Sequence, residues 1–363
     1  MKDTSFKALV AGTKLLAIKD FDEWNWSLLS QLFQGPLRNP VRFIELQEKY
    51  PKFLKTFVSF LRPFKYRFSS VPIAASSKYP KIRKPKNVML VACQLIDALL
   101  ATEEGSRYLS SNKIMPQIAE IFAQIDPYSG IDSKDPILAT RRLEHSLSLG
   151  YVKMVGIMSG TPRGIAILEQ WQLFHMMSNI IETSVSDEKN NHLIFNILSN
   201  LDYTRKGHSR IILAKAMSIS NWKIKVYALE SVFPILCALE GCEKHYVLSL
   251  VKLLYDENDA VVKMSVECLY EFFIVKGRLE IIDILVECRP SIMILQQSEQ
   301  GQLLLLQFCT THKGFKYLEE TGFVELNFHQ SIESLSTLEY LTAVEDTIQR
   351  HLFPFVPCVS DPT

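Results

Sequence analysis

The sequence is short of almost every feature that announces a catalyst or a membrane protein. Its 363 residues include seven cysteines, at positions 93, 237, 242, 268, 288, 309 and 358, and no Cys-x-x-Cys pair. An odd number scattered through apolar stretches reads as a reducing compartment, with the thiol used as a small buried hydrophobe. No window approaches eighteen uncharged apolar residues, so nothing in the sequence reads as a membrane span. Gly12 and Lys14 interrupt the first apolar run, which leaves it too short for a secretory leader. The expectation is a cytoplasmic protein. Fourteen glycines and sixteen prolines exclude collagen-like and low-complexity chains. A net charge of +1 excludes a histone-like or polyanionic tail.

Catalytic and cofactor-binding grammar is missing as well. The sequence holds no GxSxG, no GxGxxG after a strand, no GxxxxGK[ST], no HExxH and no kinase signature set. The stretch GIMSGTPRG (156–164) looks superficially like a phosphate loop, but it lacks the Lys-Ser/Thr ending and a preceding strand. Cys237-x4-Cys242-x2-His245 is the sole metal-like spacing, and structural zinc needs a second ligand pair that is not evident. These readings point away from an enzyme and call for no cofactor, no metal and no catalytic residue.

What is present is helical periodicity. Residues 87–101 place Leu90, Val91, Leu95, Ile96 and Leu99 on one face, with Asn87 available as N-cap. Comparable segments recur from 41–61 through 137–158 and 222–239 to 335–350, with cap signals at Asp187, Asn221 and Asp259. Strict apolar alternation is absent, and hairpin dipeptides are few. The chain therefore reads as all-α.

Four stretches share the pattern Thr-x-x-Gly-x-x-x-Leu/Ile. They begin at Thr102, Thr161, Thr204 and Thr311, with glycines at Gly105, Gly164, Gly207 and Gly314. Most follow one apolar helix and lead into another. The pattern predicts a helix end, a turn that glycine permits, and a second helix at a fixed angle. The glycine spacings are 59, 43 and 107 residues, and 43 is close to one armadillo or HEAT repeat. The expected architecture is an armadillo/HEAT-like α-solenoid of stacked helix pairs, continuous over 87–350 and preceded by a helical unit over 1–61. Residues 62–86, rich in Pro, Ser and cations, read as a linker or loop mobile at its centre. Residues 351–363 hold three prolines and read as a non-helical, truncated tail.

Charge is segregated. No acidic residue lies between Lys49 and Ile96, a span with eleven cations, and the remainder of the chain is net acidic by ten. Lys52 and Lys55, three apart, share one face of a helix predicted over 46–61, with Lys49 a turn earlier and Lys19 a possible addition. This is a candidate site for an acidic or phosphorylated partner. Phe53, Phe57, Phe60 and Phe64 recur at core spacing, so the aromatic stripe reads as packing. No DNA partner is expected.

Several of these stretches carry a family resemblance. LDYTRKGHSRIILAKAMS (201–218) and LLLLQFCTTHKGFKYLEETGFV (303–324) resemble the Rictor family, the rapamycin-insensitive companion subunits of TOR complex 2. EWNWSLL (23–29), VACQLIDALLATEEGSRYL (91–109) and GIMSGTPRGIAILE (156–169) are weaker echoes in the same order. The resemblance implies a non-catalytic armadillo-like scaffold that joins TOR kinase and other complex subunits to AGC-type kinase substrates, in growth and actin signalling. It implies possible recruitment to the plasma membrane through the complex. It assigns 1–61 to the family's middle region and about 140–250 to a RasGEF-N-like part. A phosphate-binding pocket of that middle region would match Lys19, Lys52 and Lys55, with Thr56 where another cation is expected. Family members are far longer, which suggests a fragment, a partial gene model or a reduced homologue.

Overall fold

The computed structural model describes residues 3–73, 85–184, 188–233, 235, 243–276, 279–325, 342 and 345. Most of these residues are helical. No strand occurs among them, and the single β-type bridge pairs Pro72 with Ser146. The protein is all-α. It divides into two compact units, Met1–Ile224 and Lys225–Thr363, where the sequence suggested one continuous array.

The first unit is built from α1 (Asp3–Gly12), α2 (Trp26–Gln34), α3 (Pro40–Lys49), α4 (Pro51–Leu61), α5 (Pro85–Ala101), α6 (Glu103–Ser111) and α7 (Ile114–Ala123). It continues through α8 (Thr140–His145), α9 (Leu149–Ser159), α10 (Pro162–Gln170), α11 (Leu173–Thr183), α12 (Asn191–Asn200) and α13 (His208–Ser218). The division falls inside α14 (Trp222–Tyr227), which passes into a π-helical turn at Ala228–Val232. Packing sorts the first unit into rows. The helices α2, α5, α9 and α12 touch in succession, as do α3, α6 and α10, and again α4, α7 and α11. Each consecutive triplet is therefore one three-helix repeat, the armadillo arrangement, in which a repeat buries its apolar faces only against its neighbours.

The second unit holds α15 (Glu243–Leu253), α16 (Asp259–Lys276), α17 (Leu279–Glu287), α18 (Ile292–Leu295), α19 (Glu299–Phe308) and α20 (His312–Glu320). Here α15, α17 and α20 touch in succession while α16 packs on α19. The repeat is a helix pair.

Proline explains the largest departures from simple periodicity. The helix expected over 46–61 is two helices, because Pro51 opens α4 at its first position, where its missing N–H costs nothing. The segment over 137–158 breaks without a proline, at Ser146–Ser148 between α8 and α9. The expected linker begins later than residue 62. Pro63–Lys65 forms a 3-10 turn, Phe68, Ser69 and Val71 are buried, and Val71 O accepts the Leu147 amide at 2.9 Å. The centre of that linker, like Asp187, most of 335–350 and the tail at 351–363, lies outside the described residues. At the start of α16 the cap is Asn258 rather than Asp259, with Asn258 Oδ1 accepting the Ala260 amide at 3.0 Å.

The Thr-x-x-Gly pattern is real, but its glycine has a different task from the one expected. Thr102, Thr161 and Thr311 are N-caps whose hydroxyl oxygens accept the amides of Gly105, Gly164 and Gly314 at 3.1, 3.1 and 3.0 Å. Each glycine is thus the third residue of the second helix, not part of the turn. A Cβ on it would meet the carbonyl oxygen six residues earlier, Leu99, Met158 or Phe308, at 2.3, 2.1 or 2.2 Å. Glycine is needed there because two helix backbones touch at a corner with no connecting loop. Leu109, Leu168 and Leu318, four residues on, are fully buried.

Gly207 breaks the set. It is itself the N-cap of α13, with φ +132°, and its missing Cβ would face open space. Ile211, in the position of the buried leucines, is 61% exposed. The fourth true corner is Ser298-Glu-Gln-Gly301, where Ser298 Oγ accepts the Gly301 amide at 3.1 Å and the Leu295 carbonyl stands 2.0 Å from the missing Cβ.

Candidate functional site

The basic face is built on α4, whose sequence alternates its two loyalties. Phe53, Leu54, Phe57, Val58, Phe60 and Leu61 are buried, while Lys52 and Lys55 are exposed on the other side. Behind the lysines lies an aromatic cluster. Phe57 stacks on Trp24 at 5.9 Å and meets Phe33 edge-on at 5.2 Å. Phe60 lies 4.9 Å from Phe21 and 5.9 Å from Phe68, which in turn meets Tyr151 at 5.3 Å. Tyr151 donates to the Leu61 carbonyl at 2.9 Å, and burial raises its hydroxyl far above the ordinary phenol range. The stripe at 53, 57 and 60 is therefore core, and it fixes α4 rigidly under its lysines. Phe64 falls beyond α4 in the 3-10 turn and is half-buried.

Lys19 sits on an exposed loop, two residues before the turn whose Phe21 docks on Phe60. Lys19, Lys52 and Lys55 make no ion pair among the described residues. Three other cations of the acid-free span are already committed. Lys49 belongs to α3 and bonds Glu45 at 2.7 Å, Arg62 donates to Gln117 at 3.1 Å, and Lys65 donates to Ser59 at 2.7 Å. Hydrogen bonds from Lys49 and then from Arg42 hold the Glu45 carboxyl below the usual range. Lys49 is thus not a continuation of the Lys52–Lys55 face. Thr56, next to Lys55 on α4, is half-buried. What the arrangement offers chemically is two or three unpaired ammonium groups on a stiff support, a surface for phosphate or carboxylate.

A second constellation joins two stretches that lie forty residues apart in sequence. Residues 156–164 and 201–210 pack directly on one another. Gly156 lets α9 touch the end of α12, since a Cβ there would lie 2.1 Å from the Asn200 carbonyl. Ser159 Oγ accepts the Asp202 amide at 2.9 Å, and Arg205 donates to the Gly160 carbonyl at 3.0 Å. Arg163 reaches back to the carbonyls of Leu100 and Ala101 at the end of α5, both at 3.2 Å. Tyr203, buried, donates to Leu198 O at 2.6 Å, and Arg210 donates to Tyr203 O at 2.8 Å. His208 stacks on Phe174 at 4.5 Å and pairs with Glu169 at 2.6 Å. The phosphate-loop-like GIMSGTPRG is accounted for by this packing: its three glycines serve a helix crossing, the contact with Asp202 and a corner.

Sequence reasoning missed this junction because neither stretch alone shows a partner. The signal available was the unusual density of Gly, Ser and Asp at helix ends. It also missed the Ser298 corner, which differs from the others only in serine replacing threonine as the cap. Among the described residues no group of three or more His, Cys, Asp and Glu is placed to hold a metal ion. Cys237 and Cys242 lie outside them. No described helix is long and apolar enough to cross a membrane.

Comparison with known proteins gives this architecture a context. Residues 129–236 match the family model for the middle domain of the rapamycin-insensitive companion of mTOR, and residues 241–354 match that for its RasGEF_N domain. Both matches lie further along the chain than the 1–61 and 140–250 assigned from motifs. The chain is 34% identical over 347 residues to the target of rapamycin complex 2 subunit ste20 of Schizosaccharomyces pombe, covering 93% of this chain and 25% of that protein. It is 28% identical to the target of rapamycin complex 2 subunit TSC11 of Saccharomyces cerevisiae, covering 96% of this chain and 24% of that one. The rapamycin-insensitive companion of mTOR of Homo sapiens is 26% identical over 97% of this chain and 19% of its own length. The chain spans a quarter or less of the length of these relatives. Two adjoining family models and near-complete coverage by several relatives lead to one conclusion: the chain belongs to the Rictor family.

Proposed function

We propose that this chain acts as a non-catalytic scaffold in TOR complex 2, joining TOR kinase to other subunits and to AGC-type kinase substrates in growth and actin signalling. The observation that carries this reading is similarity over 93% and 96% of the chain to two proteins named as target of rapamycin complex 2 subunits. The fold supports it. Stacked helical repeats present long, stiff surfaces, and the polar groups of the best-defined motifs are spent on corners and helix contacts rather than converging on a reacting atom. The scaffold works in the cytoplasm and reaches the plasma membrane through the complex. Affinity-tagged full-length chain is expected to co-purify TOR kinase at low salt. Its recovery without the kinase would overturn the proposal.

A second reading follows from the unpaired lysines on α4. The face formed by Lys52 and Lys55, with Lys19 nearby in sequence to the turn that docks on α4, serves as a docking surface for an acidic or phosphorylated ligand. Retention on phosphocellulose is expected to weaken roughly tenfold at low ionic strength in the Lys52→Glu, Lys55→Glu double variant. At 1 M salt, where the screening length is about 3 Å, parent and variant should elute alike. The variant should keep its helical circular dichroism, because both side chains point away from the core. Unchanged retention would remove this reading and leave the scaffold proposal standing.

A further inference from the structure

The acid-free stretch of the first unit holds a hydroxyl that neither the core nor the α4 lysines use. Lys65-Tyr-Arg67-Phe-Ser-Ser70-Val71 sets one cation five positions and another three positions before a serine, with an apolar residue after it. A Lys or Arg, any residue, a second Lys or Arg, any two residues and then Ser or Thr occurs nowhere else in the 363 residues. This is the charge pattern that a protein kinase with an acidic substrate groove selects. The setting reinforces it, because the span from Lys49 to Ile96 offers such a groove attraction and no repulsion. Ser70 is the only exposed serine or threonine among the described residues of that span. Lys65 and Arg67 are exposed as well, and Arg67 makes no ion pair or hydrogen bond among the described residues.

The backbone around Ser70 is a strap, residues 66–73, laid across the break between α8 and α9. Phe68 fills a slot that Gly150 leaves open: its ring lies 2.6 Å from where a Cβ at 150 would stand. Ser69 O accepts the Ser148 hydroxyl at 3.3 Å, Val71 O accepts the Leu147 amide at 2.9 Å, and the Ile73 amide donates to His145 O at 3.0 Å. Phe68, Ser69 and Val71 are buried, whereas the Ser70 hydroxyl donates to the Tyr66 carbonyl on the outer side. Two consequences follow from that packing. A kinase cleft takes its substrate as an extended segment, so Phe68 and Val71 must leave the core in a local opening before Ser70 can react. A phosphoryl group on Oγ then puts about −1.5 to −2 charge and only acceptor oxygens where the hydroxyl had donated to a carbonyl, which opposes redocking.

We propose that Ser70 is a phosphorylation site for a basophilic protein kinase, used when the 66–73 strap lifts, and that the phosphate then keeps the strap off the α8–α9 break. In the transfer, Ser70 Oγ attacks the γ-phosphorus of ATP, and the new O–P bond forms as the bond to the β,γ-bridging oxygen breaks. ADP leaves, and the hydroxyl proton passes to the catalytic aspartate of the kinase. Arg67 meets the kinase carboxylates without giving up a contact of its own, whereas Lys65 must first release Ser59, which it holds at 2.7 Å. The site stands independently of the scaffold reading.

The test incubates the full chain with Mg-ATP and the catalytic subunit of cyclic-AMP-dependent protein kinase, a basophilic probe, and maps the product by tandem mass spectrometry. Ser70 is expected to be the main labelled residue, and Ser70→Ala should remove that label. Arg67→Ala should slow labelling about tenfold, the loss of one charge-assisted contact, with an unchanged thermal melt. Ser148→Ala, which frees the Ser69 carbonyl, should speed it about threefold by easing the opening. After phosphorylation, hydrogen exchange at the Leu147 amide should quicken at least tenfold, and the kinase-treated Ser70→Ala chain should show no such change. A synthetic 62–73 peptide that is labelled while the full chain is not would overturn the site, because the strap would then never open. Equal labelling of parent and Arg67→Ala would overturn the recognition. Unchanged or slower exchange at Leu147 in the phosphorylated chain, the result if Arg67 drew the phosphate onto the docked strap, would overturn the release.

Discussion

Replacing Gly164 with alanine is expected to destabilise the protein by about 3 kcal/mol, at the top of the usual range for an overpacked core position. The sign is what makes the measurement decisive. Gly164 is the third residue of α10, and inside an ordinary helix alanine is better than glycine by about 1 kcal/mol. The structure reverses that preference, because the new Cβ would stand 2.1 Å from the Met158 carbonyl oxygen and 2.7 Å from its carbon. These are backbone atoms of the preceding helix, so no side chain can rotate aside. Relief requires α9 and α10 to part, and the capping bond from Thr161 to the Gly164 amide would stretch with them. For a unit of this size the loss corresponds to a fall of about 6–12 °C in the unfolding midpoint, read by thermal circular dichroism. Alanine at Gly105, Gly301 or Gly314 should behave alike. At Gly207 the cause differs: φ is +132° and no atom lies within 4 Å, so any non-glycine residue carries a similar conformational cost of about 1–3 kcal/mol whatever its size. A Gly164→Ala variant as stable as the parent would show that the corners open freely.

The corner glycines also show how far the sequence can be read. The spacing Thr-x-x-Gly-x-x-x-Leu identified the places where one helix gives way to the next, because cap, glycine and buried leucine are all local demands. The reason for the glycine was not legible, since it depends on how close a second backbone comes. Gly207 fitted the pattern in letters and not in role, and Ser298 fitted in role and not in letters. Helical content and repeat architecture were visible in periodicity, whereas the three-helix unit was hidden by the prolines that break α3 from α4 and by the serines that part α8 from α9. The lysines of α4 were correctly placed outside the Phe53, Phe57 and Phe60 stripe. Their independence from Lys49 was not visible, because it depends on Pro51 and on Glu45. Leu90, read onto the same face as Val91, Leu95, Ile96 and Leu99, is instead 55% exposed while those four are buried.

Removing the Asp256 carboxylate is expected to cost about 3–5 kcal/mol, the largest effect of any single charge in the second unit. Lys225 and Asp256 form an ion pair whose side chains are only 11% and 10% exposed. Asp256 also accepts the Asn258 amide at 3.0 Å, which fixes the turn leading into α16. An alanine at 256 leaves the Lys225 ammonium buried without a counter-charge, and its desolvation is then uncompensated. Asp256→Asn separates the two contributions. It keeps an acceptor for the Asn258 amide, so its loss reports the charge alone, while the further loss in Asp256→Ala reports the turn. The double replacement Lys225→Met, Asp256→Leu removes both charges and should recover most of the stability, because an apolar pair avoids the desolvation that the ion pair must offset. Salt provides the last discrimination. An exposed pair would lose its coupling between about 0.05 and 0.5 M salt, whereas a pair with these exposures should keep it. Coupling that vanishes at high salt, or a double variant less stable than Asp256→Ala, would show that the pair is solvated and that the start of α16 is held by the Asn258 cap instead.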